Sequence, residues 1–515
     1  MSFVIGADAP VFVIGAGIMG AGIAQVAAQA GHAVKLFDTR EGAAASAAAK
    51  LATTLDGLAA KGRLEASDAK AIAARITAAT RLQDAAGAAL VVEAIVENAD
   101  AKRSLFRELE GIVDDGCILA SNTSSISITA LANGLKHPGR IVGMHFFNPV
   151  PLMKLVEVVS SLATESAVAE AIFELSKRWG KTPVHALSTP GFIVNRIARP
   201  YYAEALTLLH ERAAEPAMID ACLRGAGFRM GPCELMDLVG HDTNFAVTSS
   251  VFAANFGDKR YVPSLVQQEM VDGGRLGRKS GRGFYVYPAA PPVAPVPLEA
   301  PPIPPGTMVA LHGRGVAVDR WAARLGEAGI RFEADAGSRW TGLQTSNGEL
   351  RRTDGRTAAR VAAEEGVREL ALFDIAIAAG GGAPGTTLAF SASASASSAW
   401  RDEAAQWLRT AGWAPQPIGD APGLVVARTI AMLVNEACDA VQQGVCTPEG
   451  ADQAMKLGVA YPAGPFEWLA QWDATAIVAL LDRLDAHYRG ERYRASPELR
   501  QRAWAMMMAK NGASA

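Results

Sequence analysis

A short apolar run, Val11–Ile14, leads straight into Gly15-Ala16-Gly17-Ile18-Met19-Gly20, a helix-like stretch to Gly31, and a second run, Ala33–Phe37, that ends on Asp38. Nothing else in the chain constrains the fold as strongly. The glycines permit a tight turn and close approach of backbone, and the helix after them offers free N–H groups to a pyrophosphate. A carboxylate at the end of the second strand can accept from both ribose hydroxyls, and it repels a 2′-phosphate. Glycine-rich turns are common, but strand, turn, helix, strand and acid in this order specify a Rossmann-type dinucleotide site made of Gly15, Gly17, Gly20 and Asp38, with NAD favoured over NADP. Arg40, two residues on, reads as a solvated side chain.

The alternation continues through Leu90–Glu97, a helix over Ala101–Val113, a strand over Cys117–Ala120 and another over Ile141–Met144. Strands alternating with helices argue for a parallel sheet with ligands at the strands' C-terminal ends. Glu97, Ser124 and His145 all fall at or just past such ends. An alanine-rich helical pair, roughly Gly42–Ala60 and Ser67–Ala79, exceeds what a crossover needs and is suited to cover a long substrate; a solvated hairpin is the plainer alternative.

Chemistry concentrates in Gly143-Met144-His145-Phe146-Phe147-Asn148-Pro149 and Leu155-Val156-Glu157-Val158. A turn through Asn148–Pro151 brings Glu157 back to the imidazole, orienting a general base. After Thr189-Pro190-Gly191 the pattern becomes mostly helical, and Asn195 lies in the first turn of Phe192–Arg212, where its amide can reach the cleft. The unit closes at Gly277–Tyr285. Half of the 515 residues are apolar and the net charge is -3, which gives no electrostatic case for nucleic acid or a membrane surface. No apolar segment reaches the ~18–20 residues of a membrane span. Five scattered cysteines without a CxxC read as reduced thiols in a cytoplasmic protein, and no metal enters the reading.

The segments Gly15–Gly20, Val92–Glu97, Ser121–Ser125, His145–Pro149, Lys154–Glu157 and Thr189–Arg196 resemble those of the L-3-hydroxyacyl-CoA dehydrogenases, from about Val11 to Tyr287. The resemblance implies His145 as catalytic base, Glu157 as its orienting partner, and Ser124 and Asn195 as the groups holding the 3-oxygen and thioester. It implies NAD contacts from Asp38, Glu97, Lys102, Ser124, Asn148 and Lys279, and coenzyme A contacts from Thr54 and Lys61. The family usually carries serine at the Thr54 position; threonine keeps the hydroxyl. An acyl-CoA would be the substrate, and NADH formation would separate an enzyme from a non-catalytic NAD- or acyl-CoA-binding relative. A bifunctional hydratase–dehydrogenase would need a hydratase domain before Gly15.

Beyond Tyr287 a proline-rich linker runs to Pro305, and the remainder of the chain reads as a second, decayed copy. Ala421–Arg428 lines up with Thr189–Arg196, Glu436 with Glu204, and Tyr461–Glu467 with Phe228–Glu234. Val309–Gly315 imitates the first strand and turn, and Leu388–Ser398 is expected to echo Ser121–Ser125. Ala427 replaces the amide of Asn195, and no histidine lies between His312 and His487. The expected architecture begins with an α/β Rossmann-type NAD-binding domain over residues 1–189, with a helical insertion at about 42–79. An all-α domain (190–287), the linker (288–305), a degenerate α/β unit (306–419) and a second all-α repeat (420–515) complete it. The repeat should pair with the first as a pseudo-dimer, leaving further homo-oligomerisation open. Two-repeat chains of this length resemble the 3-hydroxybutyryl-CoA and 3-hydroxyadipyl-CoA dehydrogenases of bacterial catabolism, including phenylacetate breakdown.

Overall fold

The computed structural model of the protein describes residues 5–289, 302–304, 306–377 and 386–512, so most of the expected linker lies outside the described residues. The chain forms two compact units. The first holds residues 1–196 with 440–459, and the second holds 197–439 with 460–515. A piece of the second helical repeat belongs with the NAD-binding fold, and the degenerate sheet belongs with the helices.

The first unit is built on an eight-stranded sheet in the order β3-β2-β1-β4-β5-β6-β7-β8. Its strands are β1 (Val11–Ile14), β2 (Val34–Phe37), β3 (Ile76–Ala78), β4 (Leu90–Glu93), β5 (Ile118–Ser121), β6 (Ile141–Phe146), β7 (Leu155–Ser160) and β8 (Thr182–Leu187). β1 to β6 are parallel; β7 turns back antiparallel to β6 and carries β8 parallel to itself. Continuous apolar runs such as Val11–Ile14 are buried throughout because helices cover both faces of such a sheet. The insertion is the helical hairpin Ala43–Ala60 and Ala66–Ala74. The second helix was expected to reach Ala79, but Ile76–Ala78 pairs with β2 as an edge strand. β-branched Ile76 and Thr77 favour an extended backbone once the helix ends at Arg75.

The second unit carries a seven-stranded sheet in the order β10-β9-β11-β12-β13-β14-β15. Its strands are β9 (Val309–His312), β10 (Phe332–Asp335), β11 (Gly342–Thr345), β12 (Glu349–Arg352), β13 (Leu370–Phe373), β14 (Thr387–Ala392) and β15 (Ala414–Pro417). Strand for strand this repeats β2 to β8, with one inversion. β11 runs antiparallel to β9 and closes a hairpin with β12, where β4 runs parallel to β1. The inversion removes the parallel strand pair beside the glycine turn that a dinucleotide needs. Buried Trp321, Trp400 and Trp413 fill the core of this smaller sheet.

Within the second unit the two helical repeats make reciprocal contacts. Glu204 accepts from Arg492 (2.8 Å) and the Tyr493 hydroxyl (3.0 Å). Glu436 accepts from Arg260 (3.2 Å) and the Tyr261 hydroxyl (2.6 Å). Each glutamate therefore meets the other repeat's Arg-Tyr pair, the pattern of an isologous interface written into one chain. Tyr201 lies tilted and Phe228 edge-on against Tyr461 nearby, with ring centroids 5.5 and 5.0 Å from its own.

Candidate active site

The glycine turn has the shape a pyrophosphate requires. Gly15 has a φ of +102°, and a side chain there would overlap the Ala94 carbonyl oxygen; one at Gly20 would overlap the Gly15 carbonyl. Gly17 faces open space, leaving the start of the helix Ile18–Gln29 accessible. Asp38 accepts from the Ala16 N–H (2.8 Å) and from the Arg40 N–H and Nε (2.9 and 3.0 Å). Arg40 is thus not simply solvated: it is an exposed ion-pair partner of Asp38. Its hydrogen bond is the main reason the Asp38 carboxyl is held down at about 2. The carboxylate is ionised at any working pH, and Arg40's fork is engaged by it, so these residues fit NAD.

β6 and β7 pair with His145 directly opposite Glu157. The antiparallel turn anticipated through Asn148–Pro151 produces this, because side chains facing each other across a ladder share one face. Glu157 Oε2 lies 2.5 Å from His145 Nδ1, and its other oxygen accepts the Ile193 and Val194 N–H groups, both at 3.0 Å. Glu157 is fully buried and His145 is 5% exposed, so the carboxylate is held on three sides while the imidazole keeps Nε2 for a ligand. Phe147 (4.6 Å) and Phe192 (5.9 Å) flank the ring.

Ser124 and Asn195 are brought together beside the dyad's strands, with the Asn195 amide 3.5 Å from the Ser124 carbonyl. The loop carrying Ser124 is organised by Glu97, whose Oε1 accepts from the Ser124 and Ser125 N–H groups (3.0 and 3.1 Å) and the Thr123 hydroxyl (2.6 Å). Burial pushes the Glu97 carboxyl up, but Thr123, Lys102 and Ser125 outweigh it and hold it below the usual range. Lys102 is buried between Glu93 (2.5 Å) and Glu97 (3.3 Å), so its ammonium shapes the site through those carboxylates. Asn148 is exposed just past β6. Thr54, whose hydroxyl donates to the Lys50 carbonyl, and Lys61 are exposed on the helical hairpin. Lys279 belongs to the second unit, where it pairs with Asp242 at 2.5 Å.

The second sheet shows what became of the duplicate site. Leu388–Ser398 does not echo Ser121–Ser125: Leu388 lies on β14, the counterpart of β7. The true counterpart comes after β12. Thr353 Oγ1 accepts the Gly355 N–H at 3.3 Å as Thr123 accepts that of Ser125 at 3.3 Å. Thr357 caps its helix as Ser127 does. Asp354 therefore stands for Ser124, neutralised by Arg356 and Arg483. The alternating alanines and serines mislead because a strand-like composition does not say which strand. The strand registers set Ala389 in the place of Glu157 and Asp374 in that of His145. Asp374 accepts the Val425, Val426 and Ala427 N–H groups at 2.9, 2.7 and 2.9 Å, taking over the backbone that Glu157 holds in the first sheet. The sequence offered no signal for Asp374, an isolated acid in an apolar run.

These features coincide with known proteins. Residues 10–189 match the NAD binding domain of 3-hydroxyacyl-CoA dehydrogenase, and residues 191–287 and 423–513 each match its C-terminal domain. The chain belongs to the 3-hydroxyacyl-CoA dehydrogenase family. Residues 350–422 match the reduced Rossmann-fold domain of 3-hydroxybutyryl-CoA dehydrogenase, in agreement with the shortened second sheet. Among dehydrogenases of this family, 3-hydroxyadipyl-CoA dehydrogenase of Escherichia coli K12 is 43% identical, covering 96% of this chain and 97% of its own. A probable 3-hydroxybutyryl-CoA dehydrogenase of Deinococcus radiodurans is 46% identical but covers only 53% of this chain, with 99% of its own length. A solved 3-hydroxybutyryl-CoA dehydrogenase from E. coli K12 superposes with a TM-score of 0.86 at 42% identity, covering 97% and 98% of the two chains. Among the described residues, no helix is long and apolar enough to cross a membrane.

Proposed function

We propose that the protein oxidises (S)-3-hydroxyacyl-CoA to 3-oxoacyl-CoA with NAD, on short-chain or dicarboxylic acyl groups such as 3-hydroxybutyryl- or 3-hydroxyadipyl-CoA. The observation that carries the reading is the buried His145–Glu157 pair near the end of β6, which the Phe146 N–H ties to Asn122 Oδ1 (2.8 Å) at the start of the Ser124 loop. Nδ1 is committed to Glu157, so the tautomer with a proton there leaves Nε2 as an acceptor. Nε2 removes the proton of the substrate's 3-hydroxyl, and Glu157, hydrogen-bonded at Nδ1, stabilises the imidazolium that results. The Ser124 hydroxyl and Asn195 amide hold the 3-oxygen and the thioester carbonyl. NAD, when bound, accepts the hydride from C3. Glu97 and Asn148 are assigned to the cofactor, with Lys102 acting through Glu93 and Glu97. Thr54 and Lys61 are assigned to coenzyme A.

The acyl group rests on relatives whose names point to both adipyl and butyryl substrates. NADH oxidation with acetoacetyl-CoA, longer 3-oxoacyl-CoAs and 3-oxoadipyl-CoA, compared by kcat/KM, tests both levels at once. Turnover is expected with the short or dicarboxylic members. No turnover with any of them would refute the assignment.

A further inference from the structure

The degenerate half has lost its own catalytic groups, yet it sends residues 440–459 into the first unit, against the strands that carry the dyad. Val445 accepts the Leu187 N–H at 2.9 Å at the end of β8, and Gln443 accepts from Arg196 at 2.9 Å, next to Asn195. The helix Pro448–Gly458 then lies across β7 and β8. Its last residue meets three side chains. A Cβ on Gly458 would come 2.7 Å from Leu155 Cδ2, 3.1 Å from Val194 Cγ2 and 3.6 Å from Phe147 Cε1. Each of these neighbours holds part of the dyad. Leu155 is two residues before Glu157 on β7, on the same face. Val194 donates its N–H to Glu157, and the Phe147 ring packs on the imidazole.

The same contact is made in the other unit. Gly225, the counterpart of Gly458 in the first helical repeat, packs on Thr387 of β14, the counterpart of Leu155; a Cβ there would come 2.8 Å from the Thr387 carbonyl. The two repeats thus each brace a sheet through a glycine at the end of a helix, but only one of those sheets keeps a histidine.

We propose that Gly458 is a positioning residue for the His145–Glu157 pair, and that the second half serves catalysis by bracing the strands that set the dyad's geometry. The proposal rests on the reading of His145 as the base. Gly458 has no side chain because Leu155, Val194 and Phe147 already fill the space behind Glu157. A larger residue must move one of them, and with it the carboxylate or the imidazole.

Gly458→Val, Gly225→Val and His145→Gln, each in the full chain, test this. Gly225 is the control, because its Cβ would press equally hard, 2.8 Å from the Thr387 carbonyl oxygen, on the sheet that has Asp374 in the place of His145. Gly458→Val should lower kcat about 10–100-fold, since roughly an ångström of misplacement costs up to 10². The KM for NADH should stay within about twofold, so that the loss falls on kcat and not on cofactor binding. Gly225→Val should lower the melting temperature and leave kcat unchanged. Adding Leu155→Ala to Gly458→Val should restore kcat to within about threefold, because the truncated leucine makes room. Unchanged kcat in folded Gly458→Val would overturn the proposal, and so would an equal loss in Gly225→Val. If Gly458→Val is insoluble, Gly458→Ala takes its place, since its Cβ alone would come 2.7 Å from Leu155 Cδ2; unchanged kcat in that variant overturns the proposal. Full activity in His145→Gln would instead remove the base reading and the proposal together.

Discussion

Glu157→Gln isolates the electrostatic part of the dyad, because it preserves volume and changes only charge and donor pattern. In the native site one carboxylate oxygen accepts two backbone N–H groups and the other meets His145 Nδ1, with every distance at or below 3.0 Å. A glutamine has one acceptor for three donors. Its oxygen stays with the Ile193 and Val194 N–H groups, because two buried backbone donors cannot be left bare, so its NH2 must face the imidazole. The ring then turns Nδ1 into the acceptor and carries its proton on Nε2, the wrong tautomer for taking a proton from substrate. Loss of one charge-assisted hydrogen bond to the imidazolium costs about 1.5–3 kcal/mol, or about 10–150-fold at 1.36 kcal/mol per decade. The tautomer penalty adds to this, so kcat should fall by about 10²–10⁴, the range of a lost general base. NAD reduction with a short (S)-3-hydroxyacyl-CoA, the direction in which His145 takes the proton, gives kcat, and NADH fluorescence titration should show unchanged cofactor affinity. A kcat within threefold of wild type would refute the orienting role.

Three further outcomes are expected from the geometry. Asp38→Ala releases Arg40 and removes a carboxylate held at about 2, so the NADP-to-NAD ratio of kcat/KM should rise by at least about tenfold, one charge-assisted hydrogen bond; an unchanged ratio would mean this corner does not read the ribose. Burial lifts the Asp374 carboxyl from 3.8 to about 6, so its contribution to stability is complete below pH 3.8 and is lost as pH rises through 6. At about 1.4 kcal/mol per tenfold that is about 3 kcal/mol between those limits. Chemical denaturation from pH 4 to 7 should show this fall in wild type, and Asp374→Asn should flatten it; the same slope in both would exclude Asp374. Deletion after Tyr287 removes Tyr461, Trp468, Arg492 and Tyr493 from Tyr201, Phe228 and Glu204, baring an apolar face around a buried carboxylate. Size-exclusion chromatography should show self-association or aggregation, and a stable monomer would count against the pseudo-dimer.

Local patterns in the chain were sufficient for β1, β2 and β4 to β7 of the first sheet, the glycine turn with Asp38, and the hairpin that sets His145 against Glu157. Each depends on residues within a few tens of positions of one another, where period, turn chemistry and spacing determine geometry. The pairing of Arg40 with Asp38 is equally local, yet depends on a rotamer that composition does not specify. The burial of Lys102 between two glutamates, the inverted β11, the place of Asp374 and the destination of residues 440–459 needed the tertiary structure. They are set by which strand pairs with which, and by packing between segments some three hundred residues apart. Gly458 is the clearest case. In sequence it is one small residue at a helix end, and only the fold places it against Leu155, Val194 and Phe147, because a glycine's contribution lies in the neighbours it lets come close.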